Sequence, residues 1–292
     1  MTNVVITGSS RGLGFALARE FLQSGANVIV SARDLSRLQA AVDSLQGEFR
    51  LLDSGHADDW PVRLTNSPQT EDVHANEDGN LPIRIRGIPC DVRVKSDLEQ
   101  LWQTAMNQWD KVDIWINNAG VNQFSSALWE LSEEQVELVI RTNLMGTLYG
   151  TQVAMNGMLA QGVGHIYNVE GFGSNNMFRK GLNLYGTSKR AMTHMTRAFA
   201  KEAKDTPVRI GLLSPGMMVT DFVTSVEGHT FSKDQTEKIF NILGDRPETV
   251  ARFLVARMLR NPTNGTRIAW LTKGKVLYRF ARSMVKKRDL FH

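Results

Sequence analysis

Cysteine is nearly absent. Cys90 is the only one in 292 residues, so the chain can form neither an internal disulfide nor a thiolate zinc cluster. The six histidines are scattered and no pair has ligand spacing, which leaves no candidate metal site. Long apolar runs are missing too, since none approaches the ~18–20 residues of a membrane span. No targeting segment is expected, because strand-forming sequence begins at Asn3. Charge of one sign is also scarce. The formal net charge is +4, and basic residues are dispersed until "RFARSMVKKRDLFH" at the end. Nucleic acid is therefore not an expected partner.

What is present is an ordinary globular composition, 42% hydrophobic and 22% charged. Short β-rich apolar runs alternate with helical patterns, as in a parallel sheet covered on both faces. Strands are expected at Asn3–Thr7, Asn27–Ser31, Ile83–Cys90, Val112–Asn117, Gly164–Val169, Val208–Ser214 and Arg267–Leu271. The expected fold class is α/β, a doubly wound Rossmann-type fold with a seven-stranded parallel sheet, in one domain over 1–292. Helical periodicity is clearest in "FALAREFLQSG", where Phe15, Ala18, Phe21 and Leu22 share a face and Gly25 closes the end. In "DRPETVARFLVARML", Asp245 and Glu248 have capping-box spacing and Val250, Phe253, Leu254 and Met258 form the stripe. Residues 47–82 are polar, turn-rich and without period, so they read as an insertion, either a solvated loop or a flap. Residues 275–292 form a basic amphipathic segment. Leu277, Phe280, Ala281 and Met284 share one helical face, with Arg279, Arg282 and Lys286 on another. That pattern suits either peripheral membrane contact or a terminal helix docked on the core.

Between the first strand and helix, "VVITGSSRGLGFALA" carries a phosphate-cradling pattern, with Thr7, Gly8, Ser10, Arg11, Gly12, Leu13 and Gly14 as candidate cofactor contacts. Gly8 permits the tight turn, Gly12 lets the backbone approach a pyrophosphate, and Gly14 allows close helix–strand packing. An NAD site usually places an acid at the tip of the second strand. Here Ala32 holds the tip and Arg33 follows, with Arg11 nearby. Two cations favour a 2′-phosphate, so the expected cofactor is NADPH.

In "YGTSK", Tyr185 and Lys189 are four apart and would share a helix face. An ammonium beside the phenol would lower its pKa and suit it to proton transfer with a carbonyl or alcohol oxygen. Around this pair stand "CDV" (Asp91, Val92), "NNAG" (Asn117, Ala119, Gly120), "TNLMGT" (Asn143) and "SPGMMVTD" (Pro215, Gly216, Thr220). In a doubly wound sheet all of these open on one crevice.

In this order and across most of the chain, the set closely resembles the short-chain dehydrogenase/reductase family. The resemblance implies that Tyr185 is the general acid, that Lys189 binds the nicotinamide ribose and tunes Tyr185, and that Asn143 holds a water of the proton relay. Asp91 would meet the adenine, Asn117 and Ala119 would line the cofactor, and Thr220 would contact the nicotinamide amide. It also implies a homo-oligomer.

Where the family pattern has a serine pair, this chain reads Glu170 and Gly171, in "NVEGFGSNN". Ser174 substituting as donor, Glu170 serving as acid or acceptor, and a dispensable donor all remain open. This loop, the insertion, and "FNILGDRPETVARFLVARM" followed by "RIAWLT" are similar to the chlorophyll(ide) b reductase branch. That likeness implies NADPH-dependent reduction of the 7-formyl group of a chlorophyll-type pigment in the chloroplast, at the stroma or the stromal face of the thylakoid; without it, the cytoplasm is the expected place. Glycines in place of serines would clear space beside the nicotinamide, with Phe172, Met177, Phe178, Met217 and Met218 as candidate pocket lining. A reductase of another bulky hydrophobic carbonyl and a silent NADPH-binding protein are the alternatives.

Overall fold

Successive residues of the apolar runs face opposite sides of one sheet. Val4, Ile6, Val28 and Val30 enter one buried cluster, while Val5 and Ile29 enter another on the far side. The computed structural model describes residues 1–50, 84–122, 126–218, 233–261, 263–285 and 288–290.

The strands are β1 (Asn3–Ile6), β2 (Asn27–Ala32), β3 (Ile85–Pro89), β4 (Ile114–Asn117), β5 (Gly164–Val169), β6 (Val208–Ser214) and β7 (Arg267–Ala269). They pair in parallel in the order β3-β2-β1-β4-β5-β6-β7. The order reverses between β1 and β4, and such a reversal opens a crevice at the carboxyl ends of the strands. The helices are α1 (Gly12–Gln23), α2 (Leu35–Arg50), α3 (Lys95–Trp109), α4 (Glu133–Ile140), α5 (Gly146–Gln161), α6 (Asn183–Glu202), α7 (Lys233–Leu243), α8 (Pro247–Met258) and α9 (Lys273–Ser283). Leu17, Phe21, Leu38, Val250 and Leu254 of α1, α2 and α8 cover one face of the sheet. Leu98, Leu101, Val153, Met158 and Ala200 of α3, α5 and α6 cover the other.

Two local expectations change. Helix α2 continues through Gly47–Arg50, so the apparent insertion begins later than its composition suggests; the rest of it, 51–82, lies outside the described residues. Asp245 does not cap α8. The N-cap is Arg246, with φ −75° and ψ 144°, and Pro247 opens the helix. Asp245 is drawn instead to tertiary donors: Trp270 Nε1 at 2.6 Å, Arg279 at 2.7 Å and Arg288 at 3.1 Å.

Candidate active site

Thr7 follows β1 and locks two loops together. Its Oγ1 accepts from the backbone N–H groups of Asn118 (3.1 Å) and Ala119 (3.2 Å). Gly8, at φ 62°, has no room for a side chain, because a Cβ would lie 2.6 Å from Ala119 Cα. A Cβ on Gly14 would lie 2.5 Å from Asn118 Nδ2, and that amide donates to Thr7 O (3.0 Å) and Gly8 O (2.8 Å). Asn118 and Ser9 are thus structural members of the site that motif reading passed over. Ser9 Oγ donates to Ile6 O at 2.7 Å and accepts from Ser31 N–H at 2.8 Å, tying β1 to β2. Both residues lie inside quoted motifs, but only their contacts reveal the task.

The first turn of α1 carries no acid and no side-chain cap. Its amides and dipole therefore face the crevice unneutralised, which is the arrangement an anion needs. Arg11 and Arg33 are exposed at the rim, and Ser10 is half-buried between them and the core. Hydrogen bonding from Arg93 holds the Asp91 carboxyl below its ordinary value, with a smaller contribution from Arg33. A dinucleotide with an extra phosphate fits this chemistry: bare amides for the pyrophosphate, cations at the second strand's tip and a carboxylate one strand further on. Leu13 and Val92 belong to the two core clusters, so only their backbones are available to a ligand.

Asn117 departs from expectation. Its side chain is buried beneath the crevice, accepting from Trp115 Nε1 (2.8 Å) and donating to Thr151 Oγ1 (3.2 Å) and Asn168 Oδ1 (2.8 Å). Gly150 of α5 packs against it. It fastens β4 to β5 and α5 and does not line the crevice.

At the chemical end, Tyr185 and Lys189 are buried on one face of α6. Lys189 Nζ lies 5.9 Å from the Tyr185 ring centroid and donates to Val169 O at 3.0 Å. A Cβ on Gly120 would lie 3.3 Å from Asn143 Oδ1 and 3.7 Å from Lys189 Nζ, so the "NNAG" loop reaches the catalytic candidates directly. Burial pushes Lys189 down to about 8, against an opposing pull from the Glu170 charge. Burial raises the Tyr185 phenol, contrary to the lowering expected from the lysine. The cost of placing a phenolate in a low dielectric outweighs that attraction.

Asn143 sits in a π-helical turn, Arg141–Met145, between α4 and α5. Its Oδ1 accepts from Val121 N–H (2.8 Å), while Nδ2 donates to Val121 O (2.9 Å) and Ser188 Oγ (3.1 Å). Ser188 in turn donates to Tyr185 O at 2.7 Å. The amide is committed to these partners, so a relay water would have to use the residue's backbone.

The "NVEGFGSNN" loop is closed onto α6. A Cβ on Gly171 would collide with Tyr185 Oη, and one on Gly173 (φ 89°) with Gly186. These glycines permit close approach and do not widen a pocket, because the hydroxyl fills the space at 171. Ser174 is buried; its Oγ accepts from Gly171 N–H (3.3 Å) and donates to Lys189 O (3.4 Å). Glu170 points away from the tyrosine, taking Arg267 of β7 at 2.7 Å across β6.

Of the pocket candidates, Phe178 and Met177 are exposed and Phe172 half-buried, all on the loop itself. Met217 O accepts from Asp245 N–H at 3.1 Å, and Met218 packs on the nucleotide-side core. Met218 is half-buried, with part of its surface packed on that core. Pro215 is buried and Gly216, at φ 77°, follows β6 in the left-handed region that favours glycine. Thr220 lies outside the described residues.

The family model described as short chain dehydrogenase matches residues 2–76 and 62–230. The chain belongs to the short chain dehydrogenase family. Among curated members, the probable chlorophyll(ide) b reductase NYC1 of Arabidopsis thaliana is 34% identical over 290 residues, covering 99% of this chain and 54% of that protein. The chain therefore spans about half the length of that relative. The chlorophyll(ide) b reductase NOL of Oryza sativa subsp. japonica is 35% identical over 267 residues, covering 90% of this chain and 68% of its own. Among solved structures, a variant of actinorhodin polyketide ketoreductase with NADPH superposes with a TM-score of 0.72 at 22% identity, covering 92% of this chain and 95% of that one. That last likeness concerns the fold.

Proposed function

We propose that this member of the family is an NADPH-dependent carbonyl reductase, acting on the 7-formyl group of chlorophyll b or chlorophyllide b in the chloroplast. The observation that carries the substrate is the extent of the likeness. The general family model stops at residue 230, whereas the likeness to a reductase named for chlorophyll(ide) b runs over 290 residues and so includes α7, α8, β7 and α9.

Thr7, Gly8, Ser10, Gly12 and the bare amides of α1 would hold the pyrophosphate, and Arg11 and Arg33 the 2′-phosphate. Asp91, Ala119, Gly120, Pro215, Gly216 and Thr220 would flank the remainder of the cofactor, and Lys189 its ribose. When bound, the nicotinamide supplies hydride. Tyr185 donates its proton to the oxygen of the carbonyl as charge develops there, and Lys189 offsets the charge left on the phenolate. A phenol held protonated by burial suits the reductive direction.

Of the three possible answers to the missing serine, a dispensable donor is the best supported. Ser174 is spent on closing the loop and Glu170 on Arg267, while Tyr185 Oη occupies the space a serine at 171 would need. Tyr185 then serves the carbonyl oxygen alone.

Purified protein with NADPH and chlorophyllide b should lose the formyl absorbance as the hydroxymethyl product forms. Reduction of simple aldehydes without any pigment product would reassign the substrate to another bulky carbonyl. No turnover of any carbonyl, with NADPH bound, would make this a binding protein.

A further inference from the structure

Helix α9 is mounted the opposite way round from a core-docking helix. Its inward side is mostly polar, with Lys275, Arg279 and Ser283 half-buried beside a single apolar residue, Val276. Arg279 is turned to the protein, pairing with the buried Asp245 at 2.7 Å and donating to Leu243 O at 2.8 Å. Thr272 Oγ1 caps the start of the helix, and Arg288 returns to Asp245 at 3.1 Å beyond its end. Leu290 N–H then donates to Asn241 Oδ1 of α7 at 2.9 Å. These bonds hold the helix in one rotational setting.

That setting turns the apolar residues outward. Leu277 is 74% exposed, Met284 84% and Val285 91%, with Tyr278 and Phe280 beside them. At helical spacing, these residues and Ala281 follow one another around the outer half of the helix and its last turn. No residue of α9 is buried. From Leu271 to Arg288 the sequence has seven lysines and arginines and no acid. Arg279 and Arg288 are spent on Asp245, whereas Lys273 and Arg282 are exposed and Lys275 half-buried on the helix itself. An apolar crest with these cations beside it matches the hydrocarbon boundary and headgroups of an anionic bilayer. A second copy of the chain matches it poorly, since a symmetric contact would bring two such cationic segments together. No helix among the described residues is long and apolar enough to cross a membrane, so the contact is one of lying on the surface.

We propose that the outward face of α9 is a peripheral docking surface for an anionic lipid bilayer, set in place by Arg279 on Asp245. This goes beyond the reductase reading and does not depend on it. The test is flotation of the full chain with phosphatidylcholine vesicles, with and without phosphatidylglycerol. The chain should float with the anionic vesicles and not with the neutral ones, and added salt should weaken the association. Replacing Leu277 and Met284 together by serine should lower partitioning by about tenfold or more. Because both side chains are exposed, Tm and NADPH binding should stay unchanged. Failure to bind anionic vesicles, equal binding to both compositions, or native partitioning of the double variant would each overturn the proposal. A concentration-dependent dimer abolished by the same substitutions would assign the face to a second copy and overturn it as well. No carbonyl substrate enters the measurement, so it stands or falls apart from the reductase assignment.

Discussion

The loop between β1 and α1 and the loop after β5 are both built on glycines whose Cβ would collide, yet they achieve opposite things. At Gly8 and Gly14 the close approach joins two pieces of backbone, and the helix amides beyond remain turned to the crevice without a cap. At Gly171 and Gly173 the close approach seats the loop against α6, with the Tyr185 hydroxyl in the space a Cβ at 171 would take. One loop leaves helix amides uncapped; the other is filled from within. A missing side chain clears room for a ligand only when no neighbour takes that room first.

The largest break in this comparison is Tyr185→Phe. It should lower kcat by about 10²–10⁴-fold while NADPH affinity, read by fluorescence titration, stays native; comparable turnover would deny the tyrosine its role. Next comes Gly171→Ser, which restores the family's usual residue. Because the new Cβ displaces Tyr185 Oη, kcat should fall by about 10²-fold, and a gain would show that the loop had wanted its serine back. At the cradle, Arg33→Ala should weaken NADPH by about tenfold and leave NADH nearly unchanged, as measured by the ratio of KM values. The smallest expected effect belongs to Glu170→Gln. Turnover should decline as pH rises through about 8, where Lys189 loses its proton. Glu170 supports the charged form of Lys189, so its neutral variant should begin that decline at lower pH. An unmoved pH profile would confine Glu170 to holding β5 to β7.

Much of this was legible in the residues. The sheet was readable because a strand buried on both faces must be apolar throughout, as in "VVI", "VIV" and "IWI". The glycine turn and the Tyr185–Lys189 pair were readable because both are set by local spacing. The direction of Asn117, the commitments of Asn143 and Ser174, and the packing of Met218 were not. Each depends on a partner far along the chain: Asn168, Val121, Lys189 or Asp245. The sign of the Tyr185 shift depends on total burial, which no spacing encodes.

By itself, the sequence determined the layered α/β architecture, the glycine turn before α1 with two arginines near it, and the tyrosine–lysine pair. Those follow from periodicity, glycine stereochemistry and charge, which act over a few residues. Only the tertiary structure decided that Glu170 faces Arg267 and not the tyrosine, that the loop's glycines are filled by a hydroxyl, and that α9 turns its arginine in and its leucine out. A carboxylate takes whichever cation the fold brings within reach, and Asp245 brought Arg279 inward. With polar bonds from Arg279 and Arg288 holding this segment, its apolar face had no direction left but outward.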